Sequence, residues 1–149
     1  MDVENSVTLL THQAALVVGP GGVAYDPRRQ ILYVASQYDN SIYAIHNAAH
    51  TSRNQGRGKL LVSDPKNLHA PIGLILAPNG NLIVANSDAF NVDTAQPSEL
   101  VEYTPKGAFV ARFSVDPANG GAFGLAISNG ILAAVDDNIA ALEEFTFPT

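Results

Sequence analysis

Three glycines, Gly22, Gly73 and Gly124, stand 51 residues apart each time, and three leucines behind them, Leu32, Leu82 and Leu132, stand 50 apart. Two landmarks with nearly one period divide the chain into repeats of a single structural unit, which restricts it to folds that stack such units. Each glycine opens a short apolar run: Val23-Ala24-Tyr25, Leu74-Ile75-Leu76 and Leu125-Ala126-Ile127. Tight-turn residues follow, at Asp26-Pro27, Pro78-Asn79-Gly80 and Ser128-Asn129-Gly130, where Pro, Asn and Gly supply the fixed or positive φ that hairpins need.

A second strand is predicted over Ile31 to Ala35, Leu82 to Ala85 and Ile131 to Val135, and a third over Ser41 to Ile45, Glu99 to Tyr103 and Ile139 to Phe145. A fourth closes the first two repeats, at Lys59 to Val62 and Ala108 to Val115. In the second strand Ile31, Tyr33 and Ala35 face one side while Leu32 and Val34 face the other. Apolar residues on both faces call for cover on both sides, which sheets stacked face to face supply. The expected fold class is therefore all-β, a β-propeller with about three four-stranded blades per chain. The whole chain, 1–149, is predicted to be one propeller segment, with a blade tail at 5–18, blades at 19–64 and 70–116, and an incomplete blade at 121–147. The tail would consist of outer strands at Ser6 to Thr11 and Ala14 to Val18.

Charge narrows the function classes. The formal net charge is −6 and the only basic cluster, Arg53, Arg57 and Lys59, sits in a polar stretch, so no nucleic-acid partner is expected. No cysteine is present, which removes disulfides, thiolate metal sites and cysteine nucleophiles. No apolar run approaches a membrane span. The acidic start, Met1-Asp2-Val3-Glu4-Asn5, does not read as a signal peptide. His12, His46, His50 and His69 are scattered without zinc-site spacing. A Gly-x-Ser-x-Gly elbow, a phosphate loop and a dinucleotide fingerprint are all missing from the sequence.

The pattern Pro-x-Gly-(Val/Leu) followed by x-Leu-(Tyr/Ile)-Val-Ala-(Ser/Asn), carried by Pro20 to Ser36, Pro71 to Ser87 and more loosely by Gly121 to Asp137, resembles NHL-repeat proteins and the six-bladed superfamily that includes gluconolactonase-like hydrolases. The resemblance implies about six blades in a full ring, of which this chain would be half. A three-blade arc leaves an apolar face bare at each end, so either a homodimer of two half-rings or the missing blades of a longer parent is expected to close it. A soluble parent, secreted or periplasmic, is compatible with the superfamily.

In a propeller the loops leading into strand one and those joining strands two and three share one rim. Here that rim would gather His69 and Asn119 with three middle turns: Gln37 to Asn40, then Asn86, Ser87, Asp88, Asn91 and Asp93, then Asp136, Asp137 and Asn138. A ligand-binding surface made of His69, Asn86, Asp88, Asn119, Asp136 and Asp137 is expected there. Such carboxylate and amide oxygens suit a hard cation such as calcium. Gluconolactonase-like relatives hold a divalent ion at the pore with Glu, Asn and Asp, which by resemblance implies Asn86, Asp88 and Asp136 as ligands. Those enzymes carry a glutamate near an early Gly-Pro step, whereas Val18-Gly19-Pro20-Gly21 has no acid. No residue is therefore assigned a catalytic role. The expected function is a non-enzymatic binding or scaffold module presenting a rim to a protein or small molecule; the alternative is a cation-dependent lactonase- or lyase-like enzyme. Asp88-x-x-Asn91-x-Asp93 partly matches a calcium loop but lacks its central glycine and distal glutamate.

Overall fold

The computed structural model describes residues 19–51 and 56–147. The tail expected over 5–18, together with His12 and Arg53, lies outside the described residues. Eleven strands and no helix occur among the described residues, so none of them forms a helix long and apolar enough to cross a membrane. The strands are β1 (Pro20–Asp26), β2 (Ile31–Ser36), β3 (Ser41–His46), β4 (Lys59–Ser63), β5 (Pro71–Leu76), β6 (Leu82–Asn86), β7 (Glu99–Tyr103), β8 (Phe109–Ser114), β9 (Ala122–Ser128), β10 (Ile131–Asp136) and β11 (Ala141–Thr146). They form three antiparallel sheets, ordered β1-β2-β3-β4, β5-β6-β7-β8 and β9-β10-β11. The strands expected from the repeat are thus present, each within a few residues of its predicted ends.

Local chemistry explains the connections. Asn129 and Gly130 both have positive φ, 50° and 77°, and join β9 to β10 as the two central residues of a mirror-image hairpin turn. In the first hairpin Asp26 Oδ1 accepts hydrogen bonds from the Arg28 and Arg29 amides, at 2.8 and 3.0 Å, which folds the chain back.

The sheets stack through their opening strands. Gly22 lies so close to the next sheet that a Cβ there would be 2.3 Å from Leu74 N, and one on Gly73 would be 2.4 Å from Phe123 O. Only glycine permits that approach. Between the first two sheets Tyr33, Ile42 and Ala44 pack on Leu82, Val84, Val101 and Tyr103. Between the second and third, Ile83, Ala85 and Leu100 pack on Leu132 and Ala134. The double-faced apolar strands are therefore covered on both sides in the middle sheet. In the third sheet one face is packed and the other carries exposed Ile131, Val135 and Leu142.

Candidate functional site at the middle rim

The last residues of β2, β6 and β10 are Ser36, Asn86 and Asp136, one per sheet at the same end, and all three are buried. Their neighbours differ. The first and third sheets cross to their next strand through the short turns 37–40 and 137–140, whereas the middle sheet uses the longer loop 87–98. That loop has an internal frame. Asp88 Oδ2 accepts from the Ser98 amide at 2.7 Å, closing the two ends of the loop on each other, and from the Gly120 amide at 3.2 Å, in the turn before β9. Ser98 Oγ donates to Ala118 O and accepts from the Gly121 amide. Asn91 Nδ2 donates to Pro65 O at 2.7 Å, which anchors the loop over the segment leading to β5.

Beneath this loop lies Glu99, the first residue of β7, with 0% exposure. Its Oε2 accepts from Asn86 Nδ2 at 3.1 Å. Its Oε1 has no hydrogen-bond partner among the described residues. Around that oxygen stand His69 Nε2 at 4.0 Å and Arg112 Nη1 at 3.9 Å. Burial pushes the Glu99 carboxyl above the usual carboxylate range; the Asn86 bond, His69 and Arg112 oppose that rise, and Asp88 adds to it.

His69 is held equally closely. Its Nδ1 makes a short contact with the Asn91 carbonyl oxygen, which assigns the Nδ1 proton as donor. Nε2 then faces two oxygens, Lys66 O at 3.2 Å and Glu99 Oε1. A bare lone pair is unfavourable in that setting, so either a proton or a cation belongs on Nε2. One ligand atom each from His69, Asp93 and Glu99 lies within 4.8 Å of the other two, close enough to converge on a single ion.

Of the residues expected from sequence, His69 and Asn86 meet here: Asn86 Oδ1 accepts from the His69 amide at 3.0 Å, and its Nδ2 also donates to Asn67 O. With its amide engaged on both sides, Asn86 orients Glu99 and the His69 backbone. Asp88 braces the loop, and its Oδ1 is buried without a partner among the described residues. Asp136 is buried in the third sheet, its Oδ1 accepting from the Asn138 amide at 3.1 Å and its Oδ2 likewise unpartnered. Asn119 is exposed in a turn, and Asp137 is exposed with its amide donating to Gly121 O. The structure thus adds Glu99 and Arg112, to which the sequence reading gave no site role. An acid as the first residue of an apolar strand, where the other repeats have Ser41 and Ala141, is the signal that could have found Glu99.

No protein-family model and no curated protein sequence matches the chain. Solved structures match at the level of fold. A calcium-binding protein, regucalcin, from Agrobacterium tumefaciens aligns with a TM-score of 0.60 at 16% identity, over 81% of this chain and 41% of that one. A gluconolactonase from Xanthomonas campestris aligns at 0.57 and 17% identity, over 88% and 38%. A chain in a nidogen/laminin complex aligns at 0.61 and 17% identity, over 85% and 44%. The chain has the fold of part of a β-propeller, and it spans about two-fifths of the length of these neighbours.

Proposed function

We propose that the chain is a non-enzymatic propeller binding module whose ligand rim is organised by a divalent cation on His69, Asp93 and Glu99. The observation that carries this reading is the buried Glu99 Oε1, which has no hydrogen-bond partner among the described residues and lies opposite a histidine nitrogen that itself needs a proton or a cation. One imidazole and two carboxylates suit a first-row ion such as Mn²⁺ or Zn²⁺ better than calcium, which prefers oxygen throughout. Bound there, the ion would neutralise Glu99 and offer open coordination positions to an anionic or carbonyl-bearing ligand. The regucalcin neighbour is a calcium-binding protein, which supports cation binding by this chain without specifying which ion or where. Calorimetric titration of metal-stripped protein with Mn²⁺, Zn²⁺ and Ca²⁺ tests the reading. Saturable binding of Mn²⁺ or Zn²⁺, weakened at least about tenfold in Glu99→Gln, is expected. Undetectable binding, or an unchanged constant in the variant, contradicts it.

A second reading has its own support. A buried carboxyl with a raised pKa beside a histidine is also the equipment of a general base, and one neighbour is a gluconolactonase. In that case lactone hydrolysis would be seen with the unmodified protein and lost in Glu99→Gln. No turnover across a panel of sugar lactones leaves the binding reading.

A further inference from the structure

Two exposed aromatic rings bridge the first two sheets at the rim. Tyr38, in the turn 37–40, and Phe90, in the loop 87–98, stand with ring centroids 4.4 Å apart at an interplanar angle of 38°. Ring pairs contribute most when water is kept off their faces. Here Tyr38 is 57% exposed and Phe90 39%, and Val92 nearby is exposed as well. The rings are nevertheless held in place. Tyr38 lies against Gly19, where any Cβ would strike its ring carbons. Asn91, the residue after Phe90, donates to Pro65 O at 2.7 Å and accepts at its own carbonyl from His69 Nδ1. An apolar surface that is both open and fixed loses little freedom when something lies on it.

Charge is segregated between the two ends of the sheets. Among the described residues, the connections at the Tyr38 end (37–40, 64–70, 87–98, 115–121 and 137–140) hold Asp39, Asp64, Asp88, Asp93, Asp116 and Asp137 against Lys66 alone. The connections at the opposite end hold no acid; they carry Arg28, Arg29 and Lys106, together with Arg57, whose side chain approaches the Tyr43 hydroxyl. The field at the aromatic end is therefore negative, and it selects a cationic partner over an anionic one.

We propose that the Tyr38–Phe90 pair is the docking platform for an arginine-bearing segment of a partner polypeptide, with a guanidinium over the open ring faces and Asp39 as its counter-charge. Guanidinium is planar and weakly hydrated, stacks on aromatic faces and presents a fork of donors to a carboxylate, whereas an ammonium supplies the charge without the stacking. Asp39 follows Tyr38 in the chain and is exposed, and its Oδ2 accepts from the Tyr43 hydroxyl at 2.7 Å, which steadies the carboxylate beside the rings. The proposal rests on the binding-module reading, for which it names a partner, and is independent of the cation on His69, Asp93 and Glu99.

Titration of the 149-residue protein with acetylated, amidated tetra-arginine tests this, followed by calorimetry and by the ring-proton resonances of Tyr38 and Phe90. Saturable shifts of both rings are expected, with tighter binding than tetra-lysine shows and none by tetra-glutamate. Phe90→Ser leaves the net charge untouched and removes an exposed ring, so the sheets should persist; it should raise the tetra-arginine dissociation constant about threefold. Asp39→Asn keeps an acceptor for Tyr43 and should also weaken the peptide. No binding, equal affinity for tetra-arginine and tetra-glutamate, constants unchanged in both variants, or shifts of the same rings by maltohexaose instead of tetra-arginine overturns the proposal. Metal titration of Phe90→Ser should match that of the unmodified protein, so failure of the peptide would leave the cation site standing.

Discussion

The second and third sheets descend from the same repeat and have diverged in two places. The second packs on both faces; the third packs on one. At the rim the second pairs Asn86 with Glu99, under a loop that brings His69 and Asp93 alongside, while the third has Asp136 and Ala141 across an uncovered turn. The repeat therefore specifies the scaffold, and the departures from it coincide with the candidate site. A site needs a group that the repeat does not require and that the surrounding structure keeps dry.

The glycines separate the two sheets most sharply. Gly73→Leu should cost about 3 kcal/mol or prevent folding, because its side chain must displace Phe123 backbone. Gly124→Leu, in dilute protein, should cost under about 1 kcal/mol. Urea unfolding of both variants measures the difference, and equal costs would mean that the third sheet's outer face is covered.

At the rim, Asn86→Ala should cost about 3 kcal/mol, since it strands the His69 amide and the Glu99 carboxyl together. Asp136→Asn should change stability by less than about 1 kcal/mol, because only one of its carboxyl oxygens has a partner among the described residues. Thermal unfolding of the two variants would rank the rims.

The pH dependence should follow Glu99. Its folded-state pKa lies above the unfolded one, so between the two the native state holds the extra proton. Stability therefore falls as pH rises from the ordinary carboxylate range through the raised folded value, and Glu99→Gln should flatten that slope. A slope unchanged in the variant would place the titration elsewhere.

The smallest expected effect compares two buried tyrosines of one core. The Tyr103 hydroxyl donates to Asp64 Oδ2 at 2.9 Å, whereas the Tyr33 hydroxyl has no partner among the described residues. Tyr103→Phe should cost about 1.5 kcal/mol and Tyr33→Phe about zero.

Much of the scaffold was legible beforehand. The glycine period located the opening strands, and apolar residues on both faces of Ile31 to Ala35 required stacked neighbours. The site was legible only in part. Asn86, Asp88 and Asp136 are grouped by the resemblance to gluconolactonase-like proteins; in the structure Asn86 ties His69 to Glu99, Asp88 braces a loop, and Asp136 lies in the third sheet. Glu99 opens a correctly predicted strand, and the acid standing where the other repeats have Ser41 and Ala141 marks it out without showing that it is buried. Its burial depends on the 87–98 loop folding over it and on His69 and Arg112 arriving from other elements, which are long-range events that periodicity does not encode.

Pulsed electron–nuclear resonance on Mn²⁺ added to the metal-stripped protein tests the site most directly. Coupling to one histidine nitrogen, abolished in His69→Gln, is the predicted spectrum. A bound ion with oxygen ligands alone would contradict the assignment and return the cation to Asn86, Asp88 and Asp136.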